Sequence, residues 1–586
     1  MDVTDQRRGI MRGGIGASAW HYRITGWQAR PGIFAHPPEP RMIGSIETGR
    51  QLCAGIFHFD GQRVEALQSS IWQIEPPVIG FDMTRHGFTW LDDLAALGNS
   101  EAEELARNWV HSWLLRPGPL AVAWSPEIAA RRLMRMINHA QMLERGWGPK
   151  PLRLFRKALT RHTLYLTKTW PGSDEGLPRF ETLCGMIYAG LSLQKMEPAV
   201  RPGIQALEQY CADHIDENGS VESRNPSELL ALFTHLVFAD LALTEAGLMA
   251  QTQHRKAIER IAPTLRALRH ADGGLARFHG GDRSADGKLD WALASAGVRS
   301  RRPEGLSMGY ARLSRGRTTA IMDAAPPFMG PNARQAHAST LAFELTSGRR
   351  PLIVNCGSGA AFGEEWQRAS RATPSHSTLG IEGFSSSRLG GSRTDADFLV
   401  EGPTVVEVDE ERHRGPASIV AGHNGYETSH GLIHVRRLDL GEDGRALMGE
   451  DVLTAVTETD IRRFDRLLEG SRDDPQGPGI PFSIRFHLHP DVTASIDLGG
   501  TAASLMLKSG ELWIFRHASN ARLSLDPSVF LDQTRSAPVP CLQIVLHARA
   551  QDHATAITWS LAKAQASGPA IRDISRDEPA QLTDMS

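Results

Sequence analysis

Two hydrophobic periodicities divide the chain. Between about residues 96 and 270, large apolar side chains recur at the spacing of one helix face, as at Leu105, Trp109 and Trp113. Three helix starts there share one device, Ser125-Pro126, Leu177-Pro178 and Asn225-Pro226. Proline suits the first helical position because its missing N–H has no partner there anyway. The three prolines lie 52 and 48 residues apart, each interval long enough for one helical hairpin, and such a repeat predicts a toroid of paired helices. From about residue 305 the pattern shortens to alternating runs between turn residues: Arg317–Met322, Leu341–Leu345, Ile433–Leu440, Ser483–His489, Leu512–Phe515 and Leu542–His547. That texture predicts an antiparallel β-sandwich. The chain thus reads as an α+β multidomain protein. A mixed segment over 1–95 carries one strand near Gly55–Phe59, and an (α/α) toroid of helical hairpins follows over 96–300. A large antiparallel β-sandwich occupies 305–565, and a polar tail without fixed structure ends the chain over 566–586.

Composition narrows the function classes. A length of 586 residues exceeds one compact core, so several domains are expected. A net charge of -3, from 64 basic and 67 acidic side chains, gives no footprint for nucleic acid. The five cysteines, Cys53, Cys184, Cys211, Cys356 and Cys541, are odd in number and show no CxxC spacing. This argues against a disulfide framework and excludes a cysteine-rich metal site. No apolar core follows Met1–Arg8 as in a secretory signal, so the cytoplasm is the default compartment on sequence alone. The apolar run Leu229–Leu248 is interrupted by His235, Asp240 and Glu245 and reads as a buried helix rather than a membrane span. Nine of the thirteen tryptophans precede residue 171, where they mostly serve as helical core.

The chemistry gathers in two β-like segments, each carrying a histidine. The first is Gln335-Ala336-His337-Ala338, running on to Phe343-Glu344-Leu345 and, after a Ser347-Gly348 turn, to Val354-Asn355-Cys356-Gly357. The second is Arg371-Ala372-Thr373-Pro374-Ser375-His376-Ser377-Thr378. A neutral histidine near pH 7 can accept a proton. Arg371 can hold a carboxylate in bidentate fashion or bridge loop carbonyls. Asn225 and Glu228 stand at the spacing of a capping box, while Arg224 and the helix N–H groups beside them favour an anion. Tyr310 reads as a rim aromatic, and His423 with Tyr426 could supply an acid and a base.

Helices followed by a sandwich, with these segments in this order, resemble the heparinase II/III family of polysaccharide lyases, most strongly from Ser307 to about Thr454. His423-Asn424-Gly425-Tyr426 and Gly449-Glu450-Asp451-Val452-Leu453 resemble later segments of that family. The resemblance implies a carbon–oxygen lyase that cleaves acidic, uronate-containing polysaccharide or oligosaccharide by β-elimination. A neutraliser of the substrate carboxylate and a proton-abstracting base are then needed. On this reading the candidate catalytic residues are His337, His376, Glu228 and Tyr310. The candidate substrate-binding residues are Arg224, Asn225, Gln335, Arg371, His423 and Tyr426. The chain departs from the family where Leu177-Pro178 replaces an Asn-His pair, where Glu228 stands at the catalytic tyrosine, and where Gln335 replaces a histidine. No cofactor is required for elimination. His337 and His376 correspond to a structural zinc pair in some members, with Asn355 near a third ligand; the other reading is two histidines hydrogen-bonded at the core edge. The family implies a cell-envelope or periplasmic location, against the cytoplasmic one suggested by the N-terminus, and leaves room for a homodimer. The alternative function is a non-catalytic glycan-binding or cell-envelope protein on the same scaffold.

Overall fold

Helices begin where the prolines stand: Pro126–Asn138, Leu177–Ser192 and Pro226–Glu245. A computed structural model describes residues 20–67, 69–116, 122–299, 305–330, 333–392, 398–409, 417–472, 474–475 and 477–564. The polar tail expected over 566–586 lies outside the described residues. Two units partition the elements. One comprises 1–219, 230–262 and 287–300; the other comprises 220–229, 263–286 and 301–586. Helices thus precede antiparallel sheets along the chain, as the two periodicities predict.

In the first unit, helix Ser100–Leu114 starts on Asn99, whose side chain accepts the Ala102 N–H at 2.8 Å. Its Ala102, Ala106, Trp109 and Trp113 form one buried face. Leu177–Ser192 is buried at every position from Phe180 to Leu191, as an inner helix must be. The tryptophans pack with each other: Trp90 meets Trp109 edge-on at 5.2 Å, and the wholly buried Arg132 guanidinium lies 4.2 Å above Trp113. The early strand is Ile56–Phe59, paired with Gln62–Glu65. Among the described residues one helix, Pro226–Glu245, is long and apolar enough to cross a membrane, and 61% of its most apolar window is buried.

The second unit is built on two large antiparallel sheets. Among the described residues one sheet runs Val406–Asp409, Ala417–Tyr426, Leu432–Leu440, Ala446–Thr454, Ala554–Lys563, Leu512–His517, Ala502–Met506 and Thr493–Asp497. The other runs Arg522–Phe530, Val539–Ala550, Ile480–Leu488, Arg350–Val354, Phe343–Ser347, Thr318–Asp323 and Tyr310–Arg315, with Leu379–Ile381 added beside Ile480–Leu488. One core cluster draws side chains from both sheets. At its centre Trp559 stacks on Phe343 at 5.7 Å and meets Phe486 edge-on at 4.7 Å. Gly449 makes room for that indole, since a Cβ there would lie 2.1 Å from the ring.

Neither histidine lies in a strand. His337 lies in an irregular stretch before the strand that begins at Phe343, and His376 follows the short 3-10 turn Thr373–Ser375. Leu341 adopts a left-handed conformation with φ 63°, which breaks the extended run expected from that residue onward. Pro374 fixes the turn ahead of His376.

Candidate functional site

Asp323, the last residue of its strand, is the centre of a buried polar network in the second unit. Its carboxylate is paired with Arg224 and accepts the Ser339 hydroxyl at 2.7 Å, with His279 Nε2 at 3.3 Å. Arg224 uses all five of its N–H donors inside the protein. Nε donates to the Met308 carbonyl at 3.1 Å, Nη1 to those of Ala325 and Pro326 at 3.0 and 2.9 Å, and Nη2 to Gly309 at 3.0 Å and to Asp323. A chain of imidazoles leads away from the carboxylate. His279 Nδ1 accepts the His337 backbone N–H at 3.0 Å, and His337 Nδ1 lies 3.1 Å from His376 Nε2. His376 Nδ1 is 2.9 Å from the Ala372 carbonyl. These partners assign the protons. His376 carries its proton on Nδ1, His337 donates from Nδ1, and His337 Nε2 holds a lone pair.

Four residues that touch or adjoin this network are left-handed without being glycine: Arg224, His279, Met308 and Leu341, at φ 52°, 47°, 52° and 63°. Each such backbone costs about 1–3 kcal/mol, and such strain concentrates at functional sites. The surrounding bonds hold it in place. Met308 offers its carbonyl to Arg224, and Leu341 N–H donates to the Asp323 carbonyl at 2.8 Å.

Burial alone would push the Asp323 carboxyl up, but the Arg224 guanidinium and the bonds from His279 and Ser339 more than offset it, holding the group well below the usual carboxylate range. Burial, with the neighbouring His376 charge, holds His337 well below the ordinary histidine value, and burial brings His376 down from 6.5 to about 4. An unfolded chain therefore takes up a proton near pH 6.5 that folded His376 refuses until about pH 4. Stability is expected to fall as pH drops through that window, by up to about 1.4 kcal/mol per pH unit for each such histidine. Urea unfolding between pH 7.5 and 4.5 measures it; a flat profile would mean the imidazoles are hydrated in the folded state.

The structure brings Arg224, Tyr310, His337, His376 and Arg371 into this neighbourhood. Tyr310 donates its hydroxyl to the Arg224 carbonyl at 2.6 Å, and burial pushes its pKa well above the ordinary value. Arg371, also buried, donates Nε to the Ala336 carbonyl at 2.8 Å and Nη2 to that of Ala333 at 3.2 Å. Asn225 caps its helix, its Oδ1 accepting the N–H groups of Ser227 and Glu228 at 2.9 and 3.2 Å. The Glu228 carboxyl, pushed up by burial, bonds to Ser223 instead of closing a reciprocal capping box. Gln335 is exposed, opposite Gly280. His423 and Tyr426 join other bonds. His423 Nε2 is 3.3 Å from His434, which leads on to Asp451 at 2.8 Å, and the Tyr426 hydroxyl donates to the Leu379 carbonyl at 3.2 Å. Asn355 Oδ1 accepts the Ser377 N–H at 2.9 Å, and its Nδ2 is buried without a partner. Among the described residues no three His, Cys, Asp or Glu side chains gather in a way that could hold a metal ion. Two imidazoles fall short of the three or four donors that zinc takes.

Asp323 and His279 escape the sequence reading. Their signals are faint: an aspartate ending an apolar strand before Ala324-Ala325-Pro326-Pro327, and a histidine ahead of Gly280-Gly281.

Residues 297–560 match the family described as heparinase II/III-like, C-terminal. A crystal structure of heparinase III superposes with a TM-score of 0.66 at 12% identity, covering 89% of this chain and 85% of that one. A mutant of the heparan sulfate lyase HepC from Pedobacter heparinus gives 0.55 at 13% identity, covering 94% and 88%. At such identities the likeness is one of fold. By sequence the chain is 29% identical over 545 residues, 91% of each protein, to the FtsZ-localized protein C of Caulobacter vibrioides (strain NA1000 / CB15N). The stretch 297–560 thus matches the heparinase II/III-like C-terminal family, and the fold matches heparinase III over most of the chain.

Proposed function

We propose that this chain is a non-catalytic glycan-binding protein of the cell envelope, built on the lyase scaffold and working where FtsZ assembles. The observation that carries the reading is the inward engagement of the site. β-Elimination needs a group to neutralise the substrate carboxylate and a base to take the adjacent proton. Here every Arg224 N–H is bonded within the protein, and the Tyr310 hydroxyl is donated to the Arg224 carbonyl. Glu228 stands at the position that the family resemblance gives to the tyrosine, with its carboxyl bonded to Ser223. The FtsZ-localized protein C of Caulobacter vibrioides, matched over 91% of both chains, supports the place of action.

Two measurements test the two halves of the proposal. Incubation with a panel of uronate polysaccharides is expected to give no ultraviolet absorbance from an unsaturated uronate product, while the same polysaccharides are retained by the protein. Turnover that disappears in His376→Ala, with the variant still folded, would restore the lyase. A fluorescent fusion is expected to form a band at the division site. A diffuse signal in cells with assembled FtsZ would remove the assignment to that site.

A further inference from the structure

A cleft of about 950 Å³ lies wholly within the second unit, and no residue of the Asp323 network lines it. Its size is at the upper end for small-ligand sites. Strand alternation explains its floor. Phe343 and Leu345 point into the core between the sheets, so Glu344 projects from the opposite face. There the carboxylate is nearly buried at 4% exposure, and only one of its oxygens is satisfied. Oε2 receives His270 Nε2 and the Arg277 backbone N–H, each at 3.1 Å, whereas Oε1 is buried with no partner. A buried acceptor without a donor is unfavourable, more so when charged.

The walls are cationic. Among the described residues lining the cleft, six are arginine or lysine and four are aspartate or glutamate. Lys508 is paired with Asp491 and Arg283 with Asp272, and, against the effect of burial, Arg277 and Arg535 both lie close enough to Asp532 to hold its carboxyl below the ordinary value. The Arg277 guanidinium lies over the Phe530 ring at 4.5 Å, and Arg349 and Arg535 are exposed.

We infer that this cleft binds an acidic saccharide, one hydroxyl donating to Glu344 Oε1 and the acid group lying between the exposed arginines. A sugar acid carries both functions, a donor for the deep carboxylate and an anion for the mouth. A neutral sugar brings no anion to the cleft, where six cations outnumber four acids, and a simple anion is repelled by Glu344. The inference rests on the glycan-binding reading and moves the glycan away from the histidines.

Calorimetric titration of the full chain tests it with three probes: a glucuronate-containing disaccharide, a neutral disaccharide of the same size, and inorganic phosphate. Saturable binding is expected for the acidic disaccharide alone. Glu344→Gln and the double variant Arg349→Ala/Arg535→Ala should each weaken it about tenfold, whereas Arg462→Ala, on the exposed face of helix Glu458–Gly470, should not. Unfolding midpoints within about 2 °C of wild type show that the variants are folded. Equal binding of acidic and neutral disaccharides, or binding of phosphate alone, overturns the assignment. Binding that survives the cleft variants but is lost in His337→Ala places the glycan at the histidines, overturning this site and leaving glycan binding intact. If no saccharide binds, both readings fall.

Discussion

Replacing Asp323 with alanine is expected to destabilise the protein by about 3–5 kcal/mol, the range for stripping one partner from a buried ion pair. The carboxylate is fully buried and is the one anion that Arg224 bonds among the described residues, its other bonds going to carbonyls. Without it a guanidinium stays in the interior uncompensated. Ser339 and His279 lose their acceptor in the same step, and the left-handed backbones of Arg224 and His279 lose one of the bonds that hold them. Urea unfolding at pH 7 measures the loss. Asp323→Asn keeps the volume and an acceptor, and should therefore be less damaging. A loss below about 1 kcal/mol, the range of exposed pairs, would mean that water reaches the guanidinium.

Trp559→Ala should cost a comparable amount, about 3–5 kcal/mol, through a different mechanism. The indole is 3% exposed and faces three phenylalanines, lying parallel to Phe343 and Phe515, at 5.7 and 6.2 Å, and across Phe486. Truncation would leave a cavity where the two sheets meet, and Gly449 has no side chain to fill it. The indole N–H also donates to Asp451 at 2.9 Å, a carboxylate shared with Arg436 and His434. The loss should appear chiefly as a lower unfolding midpoint with an unchanged denaturant slope, since neither the folded surface nor the chain length changes. Trp559→Phe should recover more than half of it. A small effect from the alanine variant would mean that the phenylalanines collapse into the space.

What the sequence revealed depended on how local the cause was. The helix starts at Pro126, Leu177-Pro178 and Pro226 were legible because proline's restriction acts within one turn. The sheets were legible because alternation belongs to each strand by itself. His337 and His376 were found as motif residues, and they do meet, ring to ring. Asp323 and His279 were not found, since their partners Arg224 and His337 stand 99 and 58 positions away. Arg224 read as an anion binder because its side chain is all that a sequence displays. Four of its acceptors are the carbonyls of residues 308, 309, 325 and 326, and every residue type carries a carbonyl. Leu341 read as strand because leucine carries no mark of a left-handed backbone.

The stretch that matches the family by sequence, 297–560, is shorter than the unit that folds around Asp323. Arg224 and His279 both precede it, in the segments 220–229 and 263–286. A gene fragment opening at residue 297 would encode Asp323 and His337 without the cation and the imidazole that answer them. The domain is therefore not portable: recombination that moved it to another gene would have to carry residues lent from the midst of the helices. The segments 220–229 and 263–286 and the stretch 297–560 must be inherited together.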